Sequence, residues 1–179
     1  MSEQKGLDLL LDALPALVDR GGRLALLGSG DRGLENAWLR AAEAHPFDSV
    51  RVGYDEALSH RMFAGADAVL VPSRFEPCGL TQLYGLRYGA VPVVALTGGL
   101  ADTVIPASPA ALREGVATGL QFFPATADAL AHSLMHLCAL YADKAIWKRI
   151  QKNGMKHSVG WDTSAKAYAN LYNELSKKT

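Results

Sequence analysis

The feature that most constrains this chain is an alternation between two hydrophobic patterns. Short apolar runs of strand length occur at 23–27, 50–54, 66–71, 91–95 and 119–123, most of them closing on Gly or Pro. Between them lie segments of helical period. Leu7, Leu10, Leu11, Leu14 and Val18 predict a helix over 6–20, with Pro15 as a point of bending and Gly21-Gly22 as its stop. Asp31 is placed to cap a second helix with Leu34, Trp38, Ala41 and Ala42 on its inner face, ended by His45-Pro46. Shorter helices are expected over 55–64 and 80–88. Strands that alternate with helices pair in parallel through right-handed crossovers. Nearly continuous apolar strands require cover on both sheet faces. The expected class is therefore α/β, a Rossmann-like doubly wound parallel sheet.

That core should occupy 5–125, with a helical tail over 126–179, the whole forming one domain from 1 to 179. In the tail, Thr126, Asp143 and Asp162 each resemble an N-cap. The expected inner faces are Leu130, Leu134, Leu137 and Tyr141, then Ile146, Arg149 and Ile150, then Ala165, Tyr168, Leu171, Tyr172 and Leu175. They would pack on the sheet or on a neighbour outside this sequence.

Charge narrows the partners. Lys plus Arg and Asp plus Glu number 18 each, so no bulk field favours nucleic acid or an anionic membrane. No apolar run reaches the length of a membrane span. The two cysteines, Cys78 and Cys138, do not suggest a disulfide framework, and a reduced, cytoplasmic setting is expected.

In doubly wound folds ligands bind beyond the carboxyl ends of the strands. Several clusters fall there. Gly28-Ser29-Gly30-Asp31-Arg32-Gly33 fits G-x-G-x-x-G, with Asp55 about twenty residues on, as an NAD site requires. A tight turn explains the same residues. The run from Pro72 through Glu76, Cys78, Gly79, Leu80 and Thr81 ends a strand, carries a carboxylate and opens a helix. Amides near Gly79, Leu80 and Thr81 would face an anion, and Glu76 would accept hydrogen bonds from hydroxyls. Such a pairing suits a ligand with both phosphate and sugar. Gly98 and Gly99 follow a strand and permit close backbone approach, and a plain turn would use them equally. Lys5 precedes a helix, where a cation is unfavourable unless an anion is also present. His132 and His136 share a helix face, but no further ligand joins them at metal spacing, so no metal site is expected.

The segment from Phe75 to Leu86 resembles the donor-binding signature of bacterial glycogen synthases and plant starch synthases. Gln4 to Asp8, Leu27 to Asp31, Gly53 to Glu56, His60-Arg61, Gly65 to Asp67, Thr97 to Val104 and Trp161-Asp162 resemble that family in the same order. The resemblance implies half of a GT-B fold, in which two Rossmann-like domains face each other across a cleft. It implies ADP-glucose as donor, an α-1,4-glucan as acceptor, retention of anomeric configuration, and no cofactor or metal beyond the donor. It gives Lys5 the donor phosphate, Leu80 and Thr81 the diphosphate, and Tyr54 the adenine. Glu76, Cys78 and Gly79 would line the glucose site, and Gly98 and Gly99 would let their loop close on phosphates or sugar. Tyr84 stands where many related transferases carry a second Glu. The family strand that would precede Gln4, and the acceptor domain before it, are not in this sequence. The chain alone is therefore expected to have little synthase activity. A non-catalytic ADP-binding fragment and an NAD-dependent oxidoreductase domain are the alternatives.

Overall fold

The computed structural model describes residues 1–45, 49–157 and 160–177. A 3-10 turn over Glu3–Lys5 leads through Gly6 into α1 (Leu7–Val18). There follow β1 (Ala25–Gly28), α2 (Arg32–Ala44), β2 (Ser49–Val52), α3 (Glu56–Gly65) and β3 (Ala68–Val71). Next come α4 (Thr81–Tyr88), β4 (Val91–Ala95), α5 (Gly98–Thr103), α6 (Pro109–Glu114) and β5 (Leu120–Phe122). The chain closes on α7 (Ala127–Ala142), α8 (Lys144–Lys156) and α9 (Trp161–Ser176).

Each expected strand forms, β4 at the expected bounds and the others with shifted ones. Ala66 does not start β3, because its amide still bonds Met62 at 2.9 Å as the end of α3. Tyr54 lies beyond β2 instead of ending it. The helices α5 and α6 were not expected, since six residues are too few to show a period. Side chains cap three helix starts as expected, at Asp31, Thr126 and Asp143, and Asp55 caps a further one. Asp31 accepts from Leu34 N–H, Asp55 from Leu58 N–H, Thr126 from Ala129 N–H, and Asp143 from the amides of Ala145 and Ile146. The cap expected at Asp162 is a correction. Gly160 occupies that position, and Asp162 sits inside the first turn of α9, near the positive end of the helix dipole. At the other boundary α2 ends at Ala44 with His45 as its C-cap, and Pro46 lies outside the described residues.

All strand pairs are parallel. Among the described residues they form two sheets, β1–β2 and β3–β4–β5. Between β1 and β3 lies a largely apolar slot of about 840 Å³, walled by Leu26 and Leu27 on one side and by Val69 and Leu70 on the other. Burial follows the same division. All of β4 is buried, whereas β2 is mostly exposed. Val91, Val93 and Ala95 join the main core with α1 and α7, while Val94 packs with Val71, Leu100 and Val104 on the other face. Leu10 and Leu14 of α1, with Leu130 and Leu134 of α7, sit at the centre of the main core. Each such fully buried Leu contributes roughly 1.5–3 kcal/mol.

Trp38 and Trp147 are core residues, 1% and 4% exposed. Of the expected tail faces, Leu130, Leu134, Leu137 and Ile150 are buried, and Arg149 instead donates to the Leu112 carbonyl at 2.7 Å. Helix α9 differs from its neighbours: none of its described residues is buried, and Trp161 is 76% exposed. Its apolar stripe is not packed on the sheet. Among the described residues, no helix is long and apolar enough to cross a membrane.

Candidate active site

The carboxyl ends of β3 and β4 deliver two loops to one place. After β3, the chain runs through Pro72 and Ser73 to Glu76 and then to α4. After β4, it enters α5 through Gly98 and Gly99. The 3-10 turn bearing Lys5 lies against the first of these loops, and Gly6 makes that approach possible. Gly6 adopts φ 66°, and a Cβ there would lie 1.9 Å from the Pro72 carbonyl oxygen. A side chain would therefore force the Lys5 turn away from β3.

The result is a close ion pair. Lys5 Nζ stands 2.5 Å from Glu76 Oε2. The two side chains differ in setting, Lys5 being 50% exposed and Glu76 11%. Ser73, which is buried, donates to the same carboxylate oxygen at 3.4 Å. The cation that sequence placed awkwardly before a helix thus has its anion, and the anion is Glu76.

Glu76 lies ahead of the start of α4. That helix begins at Thr81 with Leu80 as N-cap and has no side-chain cap. Its first-turn amides, unlike those of α2, α3, α7 and α8, are not met by a capping side chain. They are the anion-facing donors that such a helix offers. Gly79 adopts φ 72°, and a Cβ there would crowd Gln82 Oε1 at 2.7 Å and Glu76 Cγ at 3.0 Å. Cys78 and Thr81 are exposed beside it.

Gly98 and Gly99 are brought to the same loop. A Cβ on Gly98 would lie 2.1 Å from the Glu76 carbonyl oxygen, and one on Gly99 2.5 Å from that of Cys78. The Gly99 amide donates to the carbonyls of Glu76 and Pro77. These glycines therefore seat α5 on the back of the Glu76 loop. Gln82, wholly buried, completes the join: its Nε2 donates to the carbonyls of Cys78 and Gly79 and to Thr103 Oγ1, and Thr103 bonds the Gly99 carbonyl at 2.7 Å. Tyr54 stands apart from this cluster, after β2 in the other sheet, 85% exposed, with a long 3.5 Å hydrogen bond to Glu56.

Sequence reasoning gave no role to Ser73, Gln82, Thr103 or the Asp8–Arg74 pair. Gln82 lies inside the signature segment and Ser73 and Arg74 just before it, but Arg74 and Gln82 meet partners distant in sequence, Asp8 and Thr103, that no spacing announces.

The Gly28–Gly33 turn is filled from within the chain. Gly30 N–H donates to Glu35 Oε1 at 2.7 Å, and Asp31 N–H to the Met1 carbonyl at 2.7 Å. Asp55, besides capping α3, pairs with Arg51 at 3.2 Å. His132 and His136 are exposed on α7, and the His132 ring bonds the Asp128 carbonyl. Among the described residues no group of three or more His, Cys, Asp or Glu converges on one point.

Residues 1–139 match the family model of the group 1 glycosyl transferases. The chain belongs to that family. Within it, the glycogen synthase of Paracoccus denitrificans is 62% identical over 176 residues, which is 98% of this chain and 38% of the relative. That of Jannaschia sp. is 61% identical over 178 residues, 99% of this chain and 38% of the relative. The catalytic domain of starch synthase IV from Arabidopsis thaliana, solved bound to ADP and acarbose, superposes with a TM-score of 0.86 at 31% identity. That match covers 97% of this chain and 36% of the plant chain. Sucrose-phosphate synthase from Thermosynechococcus elongatus, at 23% identity and a TM-score of 0.72, shares the fold over 99% of this chain and 44% of its own. The chain thus has the Rossmann-like half of a GT-B fold and spans well under half the length of the glycogen synthases it matches.

Proposed function

We propose that this chain is the donor-binding half of an ADP-glucose-dependent glycogen synthase, which transfers glucose with retention to the non-reducing end of an α-1,4-glucan. The observation that carries the proposal is the Lys5–Glu76 pair at the uncapped start of α4. One cation, one carboxylate and a row of helix-start amides meet there, as a sugar diphosphate requires.

The donor diphosphate would lie over the amides of Leu80 and Thr81, drawing Lys5 from Glu76 toward the β-phosphate. When the bond from the anomeric carbon to the β-phosphate oxygen breaks, its electron pair leaves with ADP. Lys5 and the α4 dipole stabilise that growing charge more than the ground state, which is what lowers a barrier. Glu76, released from Lys5, would accept hydrogen bonds from glucose hydroxyls and favour positive character on the sugar ring. Cys78 and Gly79 would line the glucose, and Tyr54 would stack on adenine. Gly98 and Gly99 would bring α5 against the phosphates through the Glu76 loop. Charge neutralisation is assigned to Lys5 and the amides, with no metal or redox cofactor. The plant relative's ADP supports adenine as the base.

The acceptor glucan needs the other wall of a GT-B cleft. The chain by itself would bind donor and turn it over poorly, in keeping with the 38% of the relatives' length that it spans and with the slot between β1 and β3. The setting is proposed to be cytoplasmic. Calorimetric titration of the chain with ADP, UDP and NAD tests the donor assignment. ADP should bind, UDP more weakly, and NAD not at all, because the Gly30 and Asp31 amides of the Gly-rich turn are already engaged. Glu76→Ala in the chain joined to its upstream half should abolish glucan elongation; unimpaired elongation would end the case for this site.

A further inference from the structure

Lys5 reaches Glu76 across 71 positions of sequence from a half-exposed, flexible side chain. Such a contact is reproducible only if the two backbones are fixed to each other, and the residues that fix them surround both partners. The Arg74 amide donates to the Gln4 carbonyl at 2.9 Å, and Gln4 Nε2 donates to the Phe75 carbonyl at 3.2 Å. The Arg74 guanidinium donates to both carboxylate oxygens of Asp8, at 2.7 and 2.5 Å, and to the Glu3 carbonyl at 2.5 Å. One planar fork therefore holds residues on both sides of Lys5 and belongs to the strand end that carries Glu76. A bidentate guanidinium–carboxylate pair fixes orientation as well as distance, which a lysine in its place cannot do.

We propose that Asp8 and Arg74 are positioning residues that set where the Lys5 ammonium stands, and so determine how strongly the site holds the terminal phosphate of its nucleotide. This rests on the diphosphate reading above. Neither residue is assigned contact with the donor; both act through Lys5. The Arg74 hydrogen bond holds the Asp8 carboxyl below its ordinary range, and Asp8 in turn raises Arg74, so both are charged at neutral pH.

The experiment compares ADP and AMP affinities of the full chain by calorimetry, with melting curves alongside. Damage to folding would lower both affinities together, whereas misplacement of Lys5 should affect only the nucleotide with a second phosphate. Asp8→Asn and Arg74→Lys should each reduce the ADP-to-AMP affinity ratio about fivefold to tenfold. In a Lys5→Met background, where the ratio is already low, Asp8→Asn should reduce it no further. A wild-type preference for ADP that survives both substitutions would overturn the clamp and leave the diphosphate reading intact. A loss that persists in the Lys5→Met background would show that Asp8 acts by another route, and would overturn it too. A wild-type chain that binds ADP no better than AMP would remove the diphosphate reading and this inference with it.

Discussion

At the scale of single residues, the site depends on where backbone meets backbone. Gly6 and Gly21 have similar left-handed conformations, φ 66° and 77°, but only Gly6 faces a wall. Gly21→Ala should cost about 1 kcal/mol, from conformation alone. Gly6→Ala adds a Cβ 1.9 Å from the Pro72 carbonyl oxygen and should cost more, about 2–4 kcal/mol. Urea unfolding of the two variants checks the order; equal losses would mean that the Lys5 turn shifts freely. Asp8 gives a pH dependence of known sign. Its folded carboxyl is held below the ordinary value of 3.8, chiefly by the Arg74 hydrogen bond. The stability it contributes is present above that value and is lost as pH falls through the lower folded one. The advantage of wild type over Asp8→Asn should therefore shrink below about pH 4. Chemical denaturation across pH 2–7, in steps of about one unit, would detect it, and an advantage independent of pH would contradict it.

At the scale of elements, the two ligand loops are joined from beneath. Gln82 connects the Cys78–Gly79 backbone to Thr103 of α5 while wholly buried. Gln82→Met keeps the volume but leaves two loop carbonyls without their donor. It should destabilise by about 2–3 kcal/mol and weaken ADP binding, since the loop beside Glu76 loses its support. A Gln82→Met chain with unchanged melting and affinity would disprove that coupling. The slot between β1 and β3 makes a second expectation. A strand supplied by upstream polypeptide would pair with both edges and merge the two sheets. Hydrogen exchange on a chain extended upstream should then show new protection at alternate amides of Ala25–Gly28 and Ala68–Val71. Exchange rates that stay as they are in the present chain would refute it.

At the scale of the molecule, stability and exposure are unevenly distributed. The α1–α7–β4 core is buried, whereas α9 buries nothing among its described residues. Removing residues 161–179 should therefore change the melting temperature of this chain by no more than about 2 °C. A larger fall would mean that α9 packs on the core in solution. The exposed stripe of Trp161, Tyr168, Leu171 and Tyr172 is the tail face whose packing sequence left open, and it does not rest on the sheet.

The local pattern determined the class and most of the elements. Alternating periods required parallel strands and crossover helices, and short polar side chains before apolar runs marked the caps at Asp31, Thr126 and Asp143. The signature from Phe75 to Leu86 pointed to Glu76 and the start of α4. These features are encoded within a few residues, where sequence and geometry share one period. Short helices such as α5 and α6 lacked that period and were missed, and a Gly cap hid the start of α9. What only the tertiary structure decided was the set of contacts across long sequence separation. The Lys5–Glu76 pair, the Arg74 fork on Asp8 and the Gln82 link to Thr103 exist because three segments converge at two strand ends. No spacing along the chain encodes such a meeting, since it depends on how the strands are ordered in space.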